Sequence, residues 1–430
     1  MRAGDTIVAL SSGALPSGVA VIRMSGPQSR VLAEALVPVG LVPRRLILAD
    51  IVLGGDVLDR GLVAFMPAPQ SFTGEDCLEL QVHGSVASVK AILREITRFN
   101  QTRLAEAGEF TRRAFENGKL DLTEVEGLGD LLLAETEGQR RQALARANGG
   151  LTRQLDGWRE RLLDARAEIE ARLDFSDEGD VADELPAALV AELEALQRAF
   201  RSAAAMVSGG RIVREGFRVA LAGRPNAGKS SLLNALAQRD EAIVTDEPGT
   251  TRDLKEVPLD LGGQLVILQD MAGLRETDSK AEAEGVRRAR AAIAQADLVI
   301  WLQPIDDPAP DNMIPTGAWV VRTKGDLPDA PEAAISVVTG QGVAELLDAI
   351  AAAAAERVRG NEAPLVSRER DRLALDGAGA AVEQCLQVLG DEELAAEALR
   401  QASQALERLL GRMDAESVLD RLFLAFCIGK

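Results

Sequence analysis

The sequence predicts a multidomain chain of mixed α/β and α class: an N-terminal α+β domain, a helical domain split into two parts, and an α/β P-loop module inserted between those parts. Three observations lead there. Up to about residue 118, short apolar runs such as "DTIVAL", "GVAVIRMSG", "GLVAFMP" and "CLELQVHG" alternate with Gly and Pro, the signature of short strands. From Leu120 the chain turns to long Ala, Leu, Glu and Arg-rich stretches with few breakers, which predict helix. Between Phe217 and about Glu356 strand, loop and helix alternate around "GRPNAGKS", and helix then returns. The expected boundaries are 1–118, 119–215, 216–356 and 357–430.

Length and composition set the frame. A chain of 430 residues is too long for one ordinary core, and 47% hydrophobic with 27% charged residues is the balance of a globular protein. A formal charge of −19 excludes a general nucleic-acid coat, because phosphate affinity comes from Lys and Arg. Any RNA contact must use a local basic face. No run reaches the ~20 apolar residues needed to span a bilayer, and the opening "MRAGDTIVALSSGALPSG" is too interrupted for a secretory signal. A cytoplasmic protein without membrane contact is expected. Cys77, Cys385 and Cys427 stand far apart and His83 is the sole histidine, so neither a disulfide framework nor a structural zinc site is suggested.

Within the first domain "VASVKAILREITRF" has apolar positions at helical spacing. The helical region continues through "AEIEARLDF" and "ALVAELEALQRAFRSAAAMV". Between Arg140 and Arg166 it holds seven arginines against three acids, read as a solvated helix face, with an RNA or partner surface as the alternative. Helix resumes in "RDRLALDGAGAAVEQCLQVL" and "ELAAEALRQASQALERLLG". An insertion of this kind is best tolerated when the module's two ends lie close together.

The strongest signal is "FRVALAGRPNAGKSSLLNALA". Gly223, Gly228, Lys229 and Ser230 fit GxxxxGK[ST], with an apolar strand before and an amphipathic helix after. Backbone N–H groups from Asn226 through Ser231, Ala227 included, would wrap phosphates, Lys229 would reach the terminal ones, and Ser230 would ligate Mg²⁺. Downstream, "VTDEPGTTRD" supplies Thr245, Asp246, Glu247, Pro248, Gly249 and Thr250, with Thr251 as the second Mg²⁺ hydroxyl. "QLVILQDMAG" ends a buried strand in DxxG, Asp270-Met271-Ala272-Gly273, in which Asp270 would hold the metal through water and the Gly273 N–H would meet the γ-phosphate. This order is that of a Ras-like switch GTPase. In "WVVRTKGD" Asp326 can accept from guanine N1–H and its exocyclic amine, and the Lys324 stem can cover the ring; "ISVVTGQG", with Ser336, supplies the later base loop. Two residues depart from the common pattern, Thr323 in place of Asn and Met271 in place of Thr. Leu274 occupies the place of the water-orienting Gln, so hydrolysis needs another group, with Glu276, Glu282 and Arg252 at hand.

The terminal "LFLAFCIGK" poses its own question. A lipid-attachment box wants aliphatic residues after the cysteine, which Gly429 and Lys430 do not offer. A core thiol and a reactive thiol stay open on the residues alone.

Taken over its length the chain resembles the MnmE (TrmE) family of tRNA-modification GTPases. The likeness rests on "SFTGEDCLELQVHG", "GEFTRRAFENGKLDLTEVEGLGDLL", "REGFRVALAGRPNAGKSSLLNALA", "AIVTDEPGTTRD" and "FCIGK". The resemblance implies an N-terminal domain that binds formyl- or methylene-tetrahydrofolate and forms a homodimer, a split helical domain and an inserted G domain. It implies work with an FAD-dependent MnmG-type partner, adding a (carboxymethyl)aminomethyl group at C5 of the wobble uridine of certain tRNAs. It also implies a K⁺ ion, in place of an arginine finger, held by Asn226, Thr245, Glu247 and Thr250 when two G domains meet. Glu282 matches the residue that orients water. Arg23, Glu79 and Lys119 match folate contacts, joined by Lys430 from the tail, and Cys427 matches a participant in the one-carbon chemistry. An alternative from another class is a ribosome-assembly-type switch GTPase without covalent chemistry.

Overall fold

In the computed structural model the described residues are 4–174, 186–243, 256–270, 294–307, 314–358 and 364–413, together with Phe423, Phe426 and Gly429. The chain divides into two compact units, Met1–Gly129 with Glu407–Lys430, and Asp130–Leu406.

The first unit is built on a six-stranded sheet. Its strands are β1 (Thr6–Leu10), β2 (Ser17–Ser25), β3 (Ile47–Leu53), β4 (Asp56–Met66), β5 (Cys77–Gly84) and β6 (Thr102–Leu104), in the spatial order β3-β4-β5-β2-β1-β6. All pairs are antiparallel except β1 with β6. Alternation decides the two faces. Ala20, Ile22 and Met24 of β2 and Leu78, Leu80 and Val82 of β5 are buried together with Leu32 and Leu36 of α1 (Ser29–Leu36) and Val89, Ile92 and Ile96 of α2 (Val86–Ile96). The intervening residues Arg23 and Glu79 therefore point to the other face, where Ile7, Ala9, Ala105 and Phe110 form a smaller cluster. Phe110 lies in the first turn of α3 (Glu109–Glu116). Phe423 and Phe426 from the chain's end pack on Leu122 and Val125 of α4 (Leu122–Leu132).

In the second unit, the helices α5 (Glu137–Ala147), α6 (Gly150–Asp174), α7 (Ala187–Ala205) and α8 (Val207–Glu215) precede a five-stranded sheet. Its strands β7 (Phe217–Ala222), β8 (Glu256–Leu261), β9 (Gln264–Asp270), β10 (Leu298–Pro304) and β11 (Trp319–Thr323) run in the order β11-β10-β7-β9-β8, parallel except for β8. Helix α9 (Lys229–Leu236) and α10 (Val343–Val358) cover it, and α11 (Glu369–Gln387) and α12 (Glu392–Leu409) follow. The core joins Val219, Leu221, Leu233, Val266, Leu268, Ile300 and Ile350, the near-continuous apolar strands that a two-sided parallel sheet demands. Trp158 of α6 meets Phe200 of α7 edge to face at 5.1 Å.

Chain entry to this sheet and chain exit from it meet. A Cβ on Gly209 of α8 would lie 3.2 Å from the carbonyl oxygens of Arg357 and Val358, and one on Gly210 would lie 2.1 Å from that of Val366. Only glycine permits that approach. Helix α5 fastens the junction: Gln142 Nε2 donates to the Gly210 and Pro364 carbonyls at 3.1 and 2.8 Å. Arg146, fully buried, donates to Leu365 O at 2.5 Å and to Asp371 Oδ2 at 3.0 Å. Asp371 Oδ2 in turn accepts the Ser367 and Arg368 N–H groups at 3.1 Å each and so caps α11. The arginine run is thus a solvated face only in part. Arg140 and Arg141 pair with Glu137, and Arg161 with Glu192, near the surface, but Arg146 is a core residue. No described helix is long and apolar enough to cross a membrane.

Candidate nucleotide site and the Arg23–Glu79 cluster

The phosphate loop grows directly out of β7. Gly223 has φ of +146° and a Cβ there would strike Leu302 O at 2.5 Å; Gly228 has φ of +93° and opens α9. Asn226, also left-handed at φ 63°, sits exposed on the loop, while Ala227 is fully buried beneath it. The loop therefore leads straight into the positive end of α9, the kind of helix start that binds phosphate, although Ala227 N–H here donates to Arg224 O at 3.2 Å. Lys229 is buried and donates from Nζ to Gly223 O and Arg224 O at 2.8 and 2.9 Å, which holds its ammonium over the loop. Ser230 Oγ donates to Asp270 Oδ2 at 2.5 Å. Parallel pairing of β7 with β9 produces this meeting by placing Asp270 opposite Leu221. A hydroxyl and a carboxylate side by side are hard oxygen donors that fit Mg²⁺.

The base loop follows β11. Thr323 Oγ1 donates to Ala227 O at 2.8 Å in a buried contact, so the threonine does tie base loop to phosphate loop. Asp326 is exposed and accepts from the buried Ser336 at 2.7 Å, which fixes its carboxylate on the loop. Lys324 takes a left-handed φ of 65° and pairs through Nζ with both carboxylate oxygens of Asp306 at 2.8 and 2.6 Å. That hydrogen bond holds the Asp306 carboxyl below the usual carboxylate range. Its neighbour Asp307 accepts from Arg224 Nη1 of the phosphate loop at 2.6 Å. Sequence reading passed over Asp306 and Asp307. The available signal was their place just after a parallel strand, where α/β sheets assemble their sites. Ser231 lies in the first turn of α9.

In the first unit, Arg23 and Glu79 are cross-strand partners of β2 and β5 and make an ion pair at 2.8 Å. The Arg23 guanidinium stands 5.6 Å from the Phe72 ring centre and 5.9 Å from that of Phe110. Lys119 Nζ donates to Pro69 O at 3.1 Å, and Asn117 Nδ2 donates to Thr73 O at 2.7 Å. All three predicted residues are thereby gathered around the loop from Pro69 to Cys77. A carboxylate, a guanidinium and the Phe72 ring thus lie together, groups that can meet an amide-bearing heterocycle. Beside it, Cys77 is buried within reach of Thr73 Oγ1 at 3.3 Å. Gly429, at φ +100°, lies so close to the end of β1 that a Cβ would meet Leu10 O at 2.4 Å.

Thr245, Asp246, Glu247, Pro248, Gly249, Thr250, Thr251, Arg252, Met271, Ala272, Gly273, Leu274, Glu276, Glu282, Cys427 and Lys430 fall outside the described residues.

A family profile described as GTP-binding protein TrmE N-terminus matches residues 6–119, and one described as MnmE helical domain matches residues 122–427. Over 438 residues the chain is 51% identical to the tRNA modification GTPase MnmE of Azorhizobium caulinodans, covering 100% of both chains. The chain belongs to the MnmE family of tRNA modification GTPases. A second MnmE relative, from Brucella canis, is 47% identical over 436 residues, covering 99% of this chain and 98% of that one. Among solved structures, the G domain of the T. maritima FeoB iron transporter matches 33% of this chain and 98% of its own at 27% identity, with a TM-score of 0.21. Membership in the MnmE family makes the chain a tRNA modification GTPase.

Proposed function

We propose that this chain couples GTP hydrolysis to modification of tRNA: with an FAD-dependent MnmG-type partner it adds a (carboxymethyl)aminomethyl group at C5 of the wobble uridine, using a tetrahydrofolate one-carbon unit. The observation that carries the reading is the convergence, at the carboxyl ends of strands β7, β9 and β11 of a single sheet, of the phosphate loop, Asp270 and the base loop, joined through Thr323 and Ala227.

Each chain residue has a task. Lys229 and the loop N–H groups neutralise the phosphates and keep them in line for attack. Asp326, steadied by Ser336, reads guanine. Mg²⁺, held by Ser230 and Thr251, would draw charge from the phosphate oxygens. K⁺ at Asn226, Thr245, Glu247 and Thr250 would add a fixed cation when two G domains meet, and Glu282 would orient the water. Arg23, Glu79 and Lys119, with Lys430, are assigned to the folate, its pterin facing the carboxylate and its glutamate tail the cations. Cys427 is assigned to the one-carbon step. Homodimerisation through residues 1–118, the four-part division at 118, 215 and 356, and a cytoplasmic location belong to the same reading.

Bulk tRNA incubated with the chain, the flavoprotein partner, folate and GTP, then digested for nucleoside mass spectrometry, tests it. A new C5-substituted uridine dependent on GTP is the expected product. Turnover of GTP without any new nucleoside would favour the switch GTPase instead, and rates equal in K⁺ and Na⁺ would remove the potassium step.

A further inference from the structure

We propose that the acidic turn after β10 is a positioning device for guanine nucleotides, in which Asp306 holds Lys324 along the base pocket while Asp307 holds Arg224 of the phosphate loop. The inference rests on the reading that Lys324 and Asp326 receive the base, and it adds two residues to that site.

Sheet order is the first argument. Strand β10 lies between β7, which feeds the phosphate loop, and β11, which feeds the base loop. The turn at its carboxyl end carries side chains that reach both loops. Ile305 N–H donates to Thr323 O at 3.3 Å, and from the next two positions one carboxylate reaches left and the other right. Side-chain chemistry is the second argument. A lysine covers a ring with its four-carbon stem, which is flexible, and the ordering is unfavourable unless the far end is already fixed. Asp306 fixes it with two oxygens on one ammonium.

An opposing effect must be weighed. Two carboxylates near a polyphosphate site repel it. Here each is already paired with a cation, and the side chains of Asp306 and Asp307 are 46% and 55% exposed, so solvent and salt screen what charge is left. Positioning therefore outweighs repulsion, and removing Asp306 weakens binding. An exposed ion pair of this kind corresponds to a loss of about two- to fivefold in affinity.

The test uses the full chain with a fluorescent GDP analogue at equilibrium, and GTP turnover in Mg²⁺ and K⁺. Asp306→Asn should raise the dissociation constant two- to fivefold and raise KM alike, with kcat at saturating GTP unchanged. Asp306→Glu should restore binding. The loss should be equal for GDP and IDP, because Asp306 acts on the stem over the ring and not on the base edge. On a Lys324→Gln background Asp306→Asn should cost nothing further. Affinity equal to the unmodified chain, or a loss that adds in full to that of Lys324→Gln, overturns the proposal. Asp326→Ala separates the two levels. If it abolishes GDP binding while Asp306→Asn has no effect, the positioning role alone is wrong; if it binds GDP normally, the guanine reading falls and this inference with it.

Discussion

Replacing Arg146 by Met should destabilise the helical layer out of proportion to a single side chain. Arg146 and Asp371 are both fully buried, and their side chains pair at 3.0 Å. Methionine of similar length removes the closer of the two cations on the buried Asp371 carboxylate and leaves Arg370 Nε at 3.8 Å from Oδ1, so the loss falls toward the lower part of the about 3–5 kcal/mol typical of a broken buried pair. Two terms move the value within that range. Asp371 keeps the Ser367 and Arg368 N–H groups, which lowers the cost, whereas Leu365 O loses a donor, which adds about 1 kcal/mol. The expected loss is about 3–4 kcal/mol. Asp371→Asn should cost less, since Arg146 keeps Leu365 O and Ser367 Oγ, and the double variant should fall well short of the sum. Urea titration in a background with Trp301→Phe and Trp319→Phe leaves Trp158, packed on Phe200, as the reporter. A loss below about 1 kcal/mol, or strict additivity of the two single variants, would refute the reasoning.

Thr323→Val keeps the shape but removes the hydroxyl bond to Ala227 O, so GDP affinity should fall about two- to tenfold, read by equilibrium titration. Glu109 gives a pH signature. Burial raises its carboxyl pKa, but hydrogen bonds from Arg103 and the Glu106 N–H, with the charges of Arg103 and Arg113, outweigh that and hold it below the ordinary value. Its stabilising effect is therefore full above the unfolded-state pKa of about 4.3 and is lost as pH falls through the lower folded value. Hydrogen exchange in the first unit should accelerate in that window, and Arg103→Gln should move the onset to higher pH. Cys385 is pushed up to about 11 by burial, so at pH 8 it should resist alkylation until urea unfolds the layer, as peptide mass spectrometry would show.

Much of this was legible because short-range patterns carried it. The run "VIRMS" and the run "CLELQ" each set one charge among alternating apolar residues, and that alternation alone sends Arg23 and Glu79 to the face away from α1 and α2. The phosphate loop was legible for a related reason: glycines at fixed spacing demand backbone angles that few other functions need. Arg146 was not. Along the sequence it looks like Arg140 or Arg141, and only the return of the chain at Leu365 to Asp371 buries it. Asp306 and Asp307 were hidden similarly, since their meaning depends on β10 lying between β7 and β11. Thr323, a departure from the common Asn, still reaches the phosphate loop because the two loops approach closely, its hydroxyl lying 2.8 Å from Ala227 O.

The glycine pair at 209 and 210 has a topological consequence. A polypeptide that leaves and re-enters a scaffold through a single doorway can gain, lose or exchange what hangs outside without rethreading the rest. The helices on either side lie close enough at Gly210 and Val366 that a short splice would join them.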